Sequence, residues 1–392
     1  MLLYIHVPFC RSKCHYCAFA SLPLEGPGKA GHREVSAYLA ALLREISLWG
    51  ERLGRADLET VFFGGGTPSL LPLEALAGIL ERVRSVFSLD AAAEITIEAN
   101  PESALAPDWL HGLRKVGVNR LSLGVQSLED DVLRMLGRAH GSKEALLACE
   151  TAREAGMANL NLDMIWGLPG ARSGQSQAHW LSQLKQALAL RPDHISAYGL
   201  SLEEGTPLAE ACAAGRLIQP LEREQASQYL AGADFLESRG FMQYEISNFA
   251  RMGFACRHNL GYWEGREYLG LGPSAASTIA GRRWVNPADL KAWRQAVQEG
   301  RSDALREELD YPTRLKELLM LRLRLNKGLR LAEWKDLTGR SFLKDYAALI
   351  APLQQNGLAA TRRGSFRLTR SGMLVSNAIL AHFFAGLEHP GK

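Results

Sequence analysis

The chain has 392 residues, 47% hydrophobic and 22% charged, so it can bury the core of one large domain and of a smaller one. Lysine and arginine total 45 against 42 acidic residues, and the net charge of +3 does not by itself indicate a nucleic-acid partner. No apolar stretch is long enough to span a bilayer, and a strand-like run rather than a signal peptide begins the sequence, so we expect a cytoplasmic protein.

Strand-like apolar runs alternate with amphipathic helical segments in the first half of the chain. The six predicted strands cover residues 2–7, 60–63, 94–98, 120–125, 160–165 and 195–200. This alternation is typical of parallel βαβ units, and six units predict an α/β fold with a partial (β/α)6 barrel over residues 1–219. Residues 220–308 are predicted to form a helix-rich bridge, and residues 309–392 a small winged-helix-like domain.

A cysteine-rich loop follows the first strand. Cys10, Cys14 and Cys17 have the spacing C-x3-C-x2-C. Three thiolates on one loop can hold three corners of a cubic iron-sulfur cluster, whose usual ligand set is four cysteines. The fourth iron is then open to a small molecule, which can take an electron from the cluster. The remaining cysteines, at positions 149, 212 and 256, are scattered, and we expect them to be reduced thiols.

A zinc site is the alternative interpretation of this loop. Cys14 and Cys17 have the spacing of a zinc knuckle, and His6 or His15 could serve as a further ligand. A closed zinc site usually needs a second ligand pair at a fixed distance, and no second C-x2-C follows. The spacing therefore favours the iron-sulfur cluster.

The next four predicted strands also end in glycine or polar residues. These residues are Gly64, Gly65, Gly66, Thr67 and Pro68 after the second strand, Glu98 in the third, Gln126 after the fourth and Asp163 in the fifth. Because the chemistry of such barrels collects at the carboxyl ends of the strands, we expect these side chains to surround one mouth. A glycine triplet alone is typical of a tight turn, and a lone strand-end carboxylate also caps helices. Their recurrence at successive strand ends indicates a binding site.

The cysteine spacing resembles that of the radical S-adenosylmethionine (SAM) superfamily. The resemblance implies that the three cysteines bind a [4Fe-4S] cluster whose open iron chelates the amino and carboxylate groups of SAM. Stretches at 64–69, 98–101, 124–127, 136–140 and 163–169 are similar to oxygen-independent coproporphyrinogen III dehydrogenase (HemN) and its relatives. The positions that this similarity assigns to SAM are Tyr4, Phe19, Gly65, Gly66, Thr67, Glu98, Gln126, Arg138 and Asp163. For Tyr4 and Phe19, ordinary core packing is the alternative.

Two departures separate the chain from that dehydrogenase. The enzyme has a fourth cysteine where this chain has Phe19, and it has an N-terminal extension for which this sequence leaves no room. Phe19 and the later stretch His-Asn-Leu-Gly-Tyr-Trp at 258–263 are instead similar to the heme chaperone branch (HemW). This resemblance implies a protein that binds heme as cargo and passes it to an acceptor protein, for example a respiratory one, with transient membrane contact. A SAM-cleaving enzyme acting on coproporphyrinogen III or another tetrapyrrole is the alternative.

The stretch at 258–263 offers groups that suit a porphyrin. A neutral His258 is a good axial ligand for heme iron, and the planar Tyr262 and Trp263 provide apolar surface with a hydrogen-bonding edge. Cys256 is an alternative thiolate ligand. His258, Asn259 and Trp263 could equally form a hydrogen-bonded core cluster that joins the barrel to the next domain, and the residues alone favour that interpretation.

The end of the chain changes character from about residue 309. Helices are predicted at 313–325, 331–337, 342–356 and 371–384, with a hairpin around Arg363 and Gly364. Arg362, Arg363, Arg367 and Arg370 make this region basic, but winged folds often serve for docking only. We expect a lid or an acceptor-docking surface here, and no nucleic acid.

Overall fold

A computed structural model describes residues 1–24, 29–106, 108–301 and 306–388 of the chain. Residues 389–392, at the end of the predicted third domain, lie outside the described residues. In the described part of the chain, no helix is both long and apolar enough to cross a membrane.

Six parallel strands form the centre of the fold, as the sequence predicts. They lie side by side in chain order, and Ile5 of the first is paired with Phe63 of the second. With the two short strands of the cysteine region between the first and second, the strands are β1 (Leu2–Val7), β2 (Phe9–Cys10), β3 (Leu22–Pro23), β4 (Asp57–Gly65), β5 (Ser88–Ala99), β6 (Arg120–Gln126), β7 (Asn159–Trp166) and β8 (His194–Gly199). The partial barrel is therefore confirmed.

Helices connect these strands and cover their outer face. The helices up to β8 are α1 (Lys29–Leu53), the 3-10 turn Pro68–Leu70, α2 (Leu73–Val86), α3 (Pro101–Ala104), α4 (Trp109–Val116), α5 (Asp130–Met135), α6 (Ser142–Glu154) and α7 (Gln177–Ala189). Alternate strand residues such as Ile5, Phe63 and Leu121 are fully buried in the main hydrophobic core. The intervening positions are polar, including Thr60, Ser122 and Asn161. Since strand side chains alternate between faces, the apolar set packs under the helices and the polar set lies on the opposite face.

Residues 220–308 differ from the predicted helix-rich bridge. They contain three helices, but also six strands that extend the central sheet at both edges. The elements after β8 and before residue 309 are α8 (Pro207–Ala213), α9 (Glu222–Ser238), β9 (Met242–Gln243), β10 (Asn248–Ala250), α10 (Arg257–Trp263), β11 (Tyr268–Leu271), β12 (Ala276–Ile279), β13 (Arg282–Val285), α11 (Leu290–Gln298) and β14 (Arg306–Glu308). These strands have two to four residues each, which is too short for a clear alternating pattern.

The two edges of the sheet are built differently. Strand β11 pairs in parallel with β1, and β12, β13 and β14 follow it as antiparallel strands. At the other edge β10 and β9 add antiparallel strands to β8. The β11 edge matters for function, because it places residues 268–276 beside the first strand and its cysteine loop.

The C-terminal domain has its own hydrophobic core, centred on Phe342, Phe366 and Phe383. Its elements are α12 (Tyr311–Arg322), β15 (Leu329–Arg330), α13 (Leu331–Thr338), α14 (Phe342–Asp345), α15 (Ala347–Gln355), β16 (Ala359–Arg362), β17 (Ser365–Leu368), α16 (Arg370–Leu374) and α17 (Ser376–Glu388). The hairpin turns at Arg363 and Gly364, both with positive φ as a two-residue type I′ turn requires. Each of the last two predicted helices is divided into two, at Tyr346 and Val375.

Candidate functional site

The cysteine loop lies between β2 and β3 and is fastened by backbone hydrogen bonds. Leu24 N donates to Cys10 O at 2.8 Å, and His15 N donates to Leu136 O at 2.9 Å. The His15 ring is also engaged, because its Nδ1 lies 2.9 Å from the Met135 carbonyl oxygen. The two ring nitrogens of His6 contact Ala20 O at 2.8 Å and Tyr4 Oη at 3.1 Å. Both histidines of the zinc alternative therefore have other partners, which weakens that alternative.

Two of the three thiols accept hydrogen bonds from side chains of neighbouring loops. Thr67 Oγ1 donates to Cys10 Sγ at 3.5 Å, and Arg138 Nη1 donates to Cys14 Sγ at 3.2 Å. Burial raises the pKa of the Cys17 thiol, and the nearby Cys14 and Cys10 raise it further. A bound cation would offset this cost, because metal ligation needs the thiolate form.

The donor set fits a thiolate-held cluster. Within the residues that the structure describes, no three His, Cys, Asp or Glu side chains converge closely enough to hold a single metal ion. A cubic cluster presents a separate iron to each thiolate, so its ligands do not need to meet at one point. Arg138 Nε is buried and has no hydrogen-bond partner among the described residues, and it therefore offers a further donor at the edge of this site.

The glycine turn after β4 packs against the backbone that leads into the cysteine loop. Gly66 N donates to Val7 O at 2.8 Å and Thr67 N to Phe9 O at 2.6 Å. A Cβ atom on Gly66 would lie 2.5 Å from the Phe9 carbonyl oxygen, so no larger residue fits without a shift. The glycine triplet alone is typical of a tight turn and the resemblance assigns Gly65 and Gly66 to SAM; the structure adds that Gly66 is needed for protein packing.

Two half-buried carboxyl groups lie towards the carboxyl ends of β5 and β7. Burial and the charge of Asp163 together raise the pKa of Glu98 to about 8, although Gly65 N donates to Glu98 Oε2 at 3.2 Å. Burial also raises the pKa of Asp163, against hydrogen bonds that include Ser122 Oγ at 3.1 Å and Asn161 Nδ2 at 2.8 Å. The two carboxyl groups therefore interact, and Glu98 is mostly protonated at neutral pH.

Arg138 reaches the barrel mouth from the loop after α5. Besides Cys14 it contacts Asn100, and its Nη2 donates to Gly124 O at 2.9 Å. Gln126 has φ of +66°, a left-handed conformation that turns the chain at the end of β6. The amide Nε2 of Gln126 would lie 3.1 Å from a Cβ atom placed on Gly124, so these residues share one crowded corner.

A cavity of about 420 Å³ opens beside Gly65 and Glu98. Its lining brings together four residues that the resemblance assigns to SAM and one from the stretch at 258–263. The lining residues are Tyr4, His6, Phe19, Ala20, Gly65, Glu98, Tyr262, Tyr268, Ser274 and Ala276. Phe19 is 70% exposed, so it does not pack in the core and presents its ring at the cavity mouth. Sequence reasoning missed Tyr268, Ser274 and Ala276, because it did not identify β11 and β12.

The stretch at 258–263 forms helix α10, which packs across β4 and β5. Glu94 accepts hydrogen bonds from His258 N at 3.0 Å and Arg257 N at 2.9 Å, and Cys256 Sγ lies 3.4 Å from it. His258 is 1% exposed, stacks on Phe62 at 4.9 Å, and has its Nδ1 2.7 Å from Thr60 Oγ1. His258 therefore lies in a buried cluster with Thr60, Phe62 and Glu94, whereas the alternative to heme ligation predicted a cluster with Asn259 and Trp263.

The residues of this stretch have different surroundings. Burial lowers the pKa of His258 to about 3, so the ring is neutral, and its Nε2 has no hydrogen-bond partner within the described ranges. Tyr262 contacts His258 edge-on at 4.8 Å and reaches the cavity. Trp263 lies towards the C-terminal domain, where its carbonyl oxygen accepts a hydrogen bond from Arg322. Asn259 N lies 3.5 Å from Cys256 Sγ at the start of the helix.

Known families match both ends of the chain. The Radical SAM superfamily model covers residues 4–172, and the HemN C-terminal domain model covers residues 309–375. The heme chaperone HemW of Bacillus subtilis is 34% identical over 386 residues, which are 98% of this chain and 99% of the relative. The chain belongs to the HemW family. HemW of Synechocystis is 36% identical over 413 residues, with 98% of this chain and 96% of the relative covered.

The chain is also similar to a mitochondrial protein and to a solved enzyme. The protein named radical S-adenosyl methionine domain-containing protein 1, mitochondrial, of Bos taurus is 34% identical over 398 residues, covering 98% of this chain and 88% of that protein. The structure of coproporphyrinogen III oxidase (HemN) from Escherichia coli, a radical SAM enzyme, has a TM-score of 0.80 and 26% identity. It covers 97% of this chain, and this chain covers 89% of it. The predicted HemW resemblance and radical SAM fold are confirmed, and the fold implies a [4Fe-4S] cluster and SAM.

Proposed function

We propose that this HemW-family protein is a heme chaperone, which binds heme and transfers it to an acceptor protein in the cytoplasm or at the membrane surface. One observation carries the proposal: a single cavity is lined both by residues assigned to SAM and by Tyr262 of the stretch that marks the heme chaperone branch. A porphyrin bound there would lie beside the cluster and SAM, so their state can influence heme binding.

The cluster and SAM are held by named residues in this proposal. Cys10, Cys14 and Cys17 hold the [4Fe-4S] cluster, and Gly65, Gly66 and Thr67 lie where the methionine part of SAM is expected. Tyr4, Phe19, Glu98, Gln126, Arg138 and Asp163 complete the SAM site. When bound, the cluster supplies an electron that can be passed to SAM. The protein's own part is to fix the loop through Leu136 and to donate hydrogen bonds to two thiolates.

Aromatic side chains are the main support for a heme surface in the cavity. Tyr4, Tyr262 and Tyr268 line it, and Tyr262 and Tyr268 contact each other edge-on at 4.7 Å. Planar apolar groups with a polar edge suit the rim of a porphyrin. We propose that these tyrosines contact the macrocycle, with the exposed Phe19 at the entrance.

His258 is proposed as the axial ligand of the heme iron, on the condition that helix α10 moves. Its Nε2 is neutral and unpartnered within the described residues, which suits iron, but the ring is buried between Phe62 and Tyr262. Iron can reach Nε2 only after α10 moves away from β4. Asn259 and Trp263 lie on this helix and are proposed to contact heme in the moved state.

A heme titration tests this site. We expect His258→Ala to weaken heme binding and shift the Soret band, and Tyr262→Ala to weaken binding with a smaller spectral change. His179→Ala is the matched control, because His179 lies on α7 and contacts Glu129, outside the cavity. Unchanged affinity and spectrum for His258→Ala would remove this residue as a ligand. Unchanged affinity for both variants would remove the cavity as the heme site.

A SAM-cleaving enzyme acting on coproporphyrinogen III or another tetrapyrrole is the second candidate. It is supported by the likeness to HemN and by the interacting, half-buried carboxyl groups Glu98 and Asp163. Phe19 argues against the dehydrogenase, since it stands where that enzyme has its fourth cysteine and it carries no metal ligand.

The C-terminal domain is proposed to dock the acceptor. Two of the four arginines that made this region basic are used inside the protein: Arg370 pairs with Asp234 and Glu237, and Arg367 donates to Asn326. These contacts leave Arg362 and Arg363, both exposed at the hairpin tip, for a partner.

A further inference from the structure

Two of the cluster cysteines receive hydrogen bonds from side chains that share one partner, Asn100. Its Nδ2 lies 3.1 Å from Thr67 Oγ1, which in turn lies 3.5 Å from Cys10 Sγ. Its Oδ1 accepts a hydrogen bond from Arg138, whose other terminal nitrogen donates to Cys14 Sγ at 3.2 Å. We infer that Asn100 is a positioning residue that directs the Thr67 hydroxyl onto Cys10 and thereby sets the reduction potential of the cluster.

The direction of each hydrogen bond follows from the chemistry of the partners. A guanidinium group can only donate, so the Asn100 oxygen must face Arg138. The amide NH2 group then faces Thr67 and donates to its oxygen. The hydroxyl hydrogen of Thr67 is therefore free to point at Cys10 Sγ. Arg138 fixes the orientation of Asn100, and Asn100 fixes the orientation of Thr67.

The position of Asn100 supports this role. Asn100 is the N-cap residue of α3, where an asparagine side chain usually caps the helix, yet its side chain makes no capping hydrogen bond. The side chain is instead committed to Thr67 and Arg138. Gly124 leaves the space for it, because a Cβ atom there would lie 2.9 Å from Asn100 Oδ1. The helix thus gives up a cap in order to bring this amide to the cluster loop.

Hydrogen bonds to the ligand sulfurs tune an iron-sulfur cluster. They withdraw negative charge from the thiolates, which stabilises the reduced cluster and raises its potential. Loss of the donor on Cys10 should therefore shift the potential to a more negative value. The inference rests on the proposed cluster. Iron and sulfide analysis shows whether the cluster is present, and this distinguishes a wrong cluster assignment from a wrong role for Asn100.

The isosteric variant Asn100→Asp tests whether Asn100 directs the Thr67 hydroxyl onto Cys10. A carboxylate oxygen beside Thr67 can only accept, so the hydroxyl hydrogen should turn from Cys10 to the carboxylate. The added charge lowers the potential as well, and Thr67→Val separates the two effects because valine has no hydroxyl to turn. The measurement is the midpoint potential of the anaerobically reconstituted cluster without SAM, with electron paramagnetic resonance as the detection method. It is made on the wild type, on each single variant and on the double variant.

We expect Asn100→Asp to lower the potential more when Thr67 is present than when the chain also carries Thr67→Val. Equal shifts in the two backgrounds would overturn the inference, because only charge would then be acting. Asn100→Ala, which adds no charge, provides the same comparison if the aspartate variant does not assemble a cluster. Asn119→Ala is the matched control, since Asn119 bonds only to the backbone of Ile95 and Ala93 and should leave the potential unchanged.

Discussion

The protonation of Glu98 makes SAM binding depend on pH. Burial and the charge of Asp163 raise the pKa of Glu98 to about 8, so the carboxyl group is mostly neutral at pH 7 in the ligand-free protein. SAM carries a sulfonium cation, which favours the ionised carboxylate. If SAM binds the ionised form, the apparent Kd exceeds its limiting value about 100-fold at pH 6, about 11-fold at pH 7 and about twofold at pH 8. Affinity for SAM should therefore rise about 50-fold between pH 6 and pH 8.

Isothermal titration calorimetry measures this linkage directly. Titrations in two buffers of different ionisation enthalpy should show about 0.9 proton released per SAM bound at pH 7. S-adenosylhomocysteine, which lacks the sulfonium charge, should show a weaker pH dependence. Glu98→Gln should remove the dependence, whereas Glu245→Gln should keep it, because the pKa of buried Glu245 is also raised, to about 7, but Glu245 does not line the cavity. An affinity that changes less than about threefold between pH 6 and pH 8 would refute the reasoning.

Three further predictions concern stability. Gly66→Ala should lower the free energy of unfolding in urea by about 1–3 kcal/mol, since its Cβ would meet the Phe9 carbonyl oxygen at 2.5 Å. Gly78→Ala is the control and should be neutral or stabilising, because the space around Gly78 is open. Equal effects of the two substitutions would contradict the packing argument. The folded pKa of Glu98 lies above the value of 4.5 for a free carboxyl group, so the ligand-free protein should lose stability as the pH rises from about 5 to about 8. Glu98→Gln should flatten that loss in chemical denaturation. An unchanged stability profile for this variant would contradict the pKa argument. Arg370→Ala should cost about 1 kcal/mol and speed hydrogen exchange in α16, and unchanged exchange there would show that its ion pairs do not hold the C-terminal domain.

The central barrel could be predicted because its strands have a recognisable local pattern in the sequence. Residues 94–98 and 120–123 alternate strictly between polar and apolar side chains, and the structure places the apolar members in the core. The cysteine spacing identified the cluster loop in the same direct way. Both signals are local, so one short stretch is enough to carry each of them.

The second wall of the cavity could not be predicted, because it depends on pairing between distant segments. Strand β11 has four residues and becomes a strand only by pairing with β1, more than 260 positions earlier. Tyr268 and Ser274 therefore gave no local signal. Asn100 is a different case, since its turn was singled out but its role needs the positions of Thr67 and Arg138, which lie in other loops. Burial of His258 likewise follows from how α10 packs on β4.

The proposed heme chaperone activity has one decisive test. The protein is reconstituted with its cluster under anaerobic conditions, reduced in the presence of SAM, and given coproporphyrinogen III in one experiment and heme in a parallel one. We expect stoichiometric heme binding and no decarboxylated porphyrinogen. Formation of the decarboxylated product together with 5′-deoxyadenosine, and no heme binding, would contradict the account and identify a tetrapyrrole-modifying enzyme.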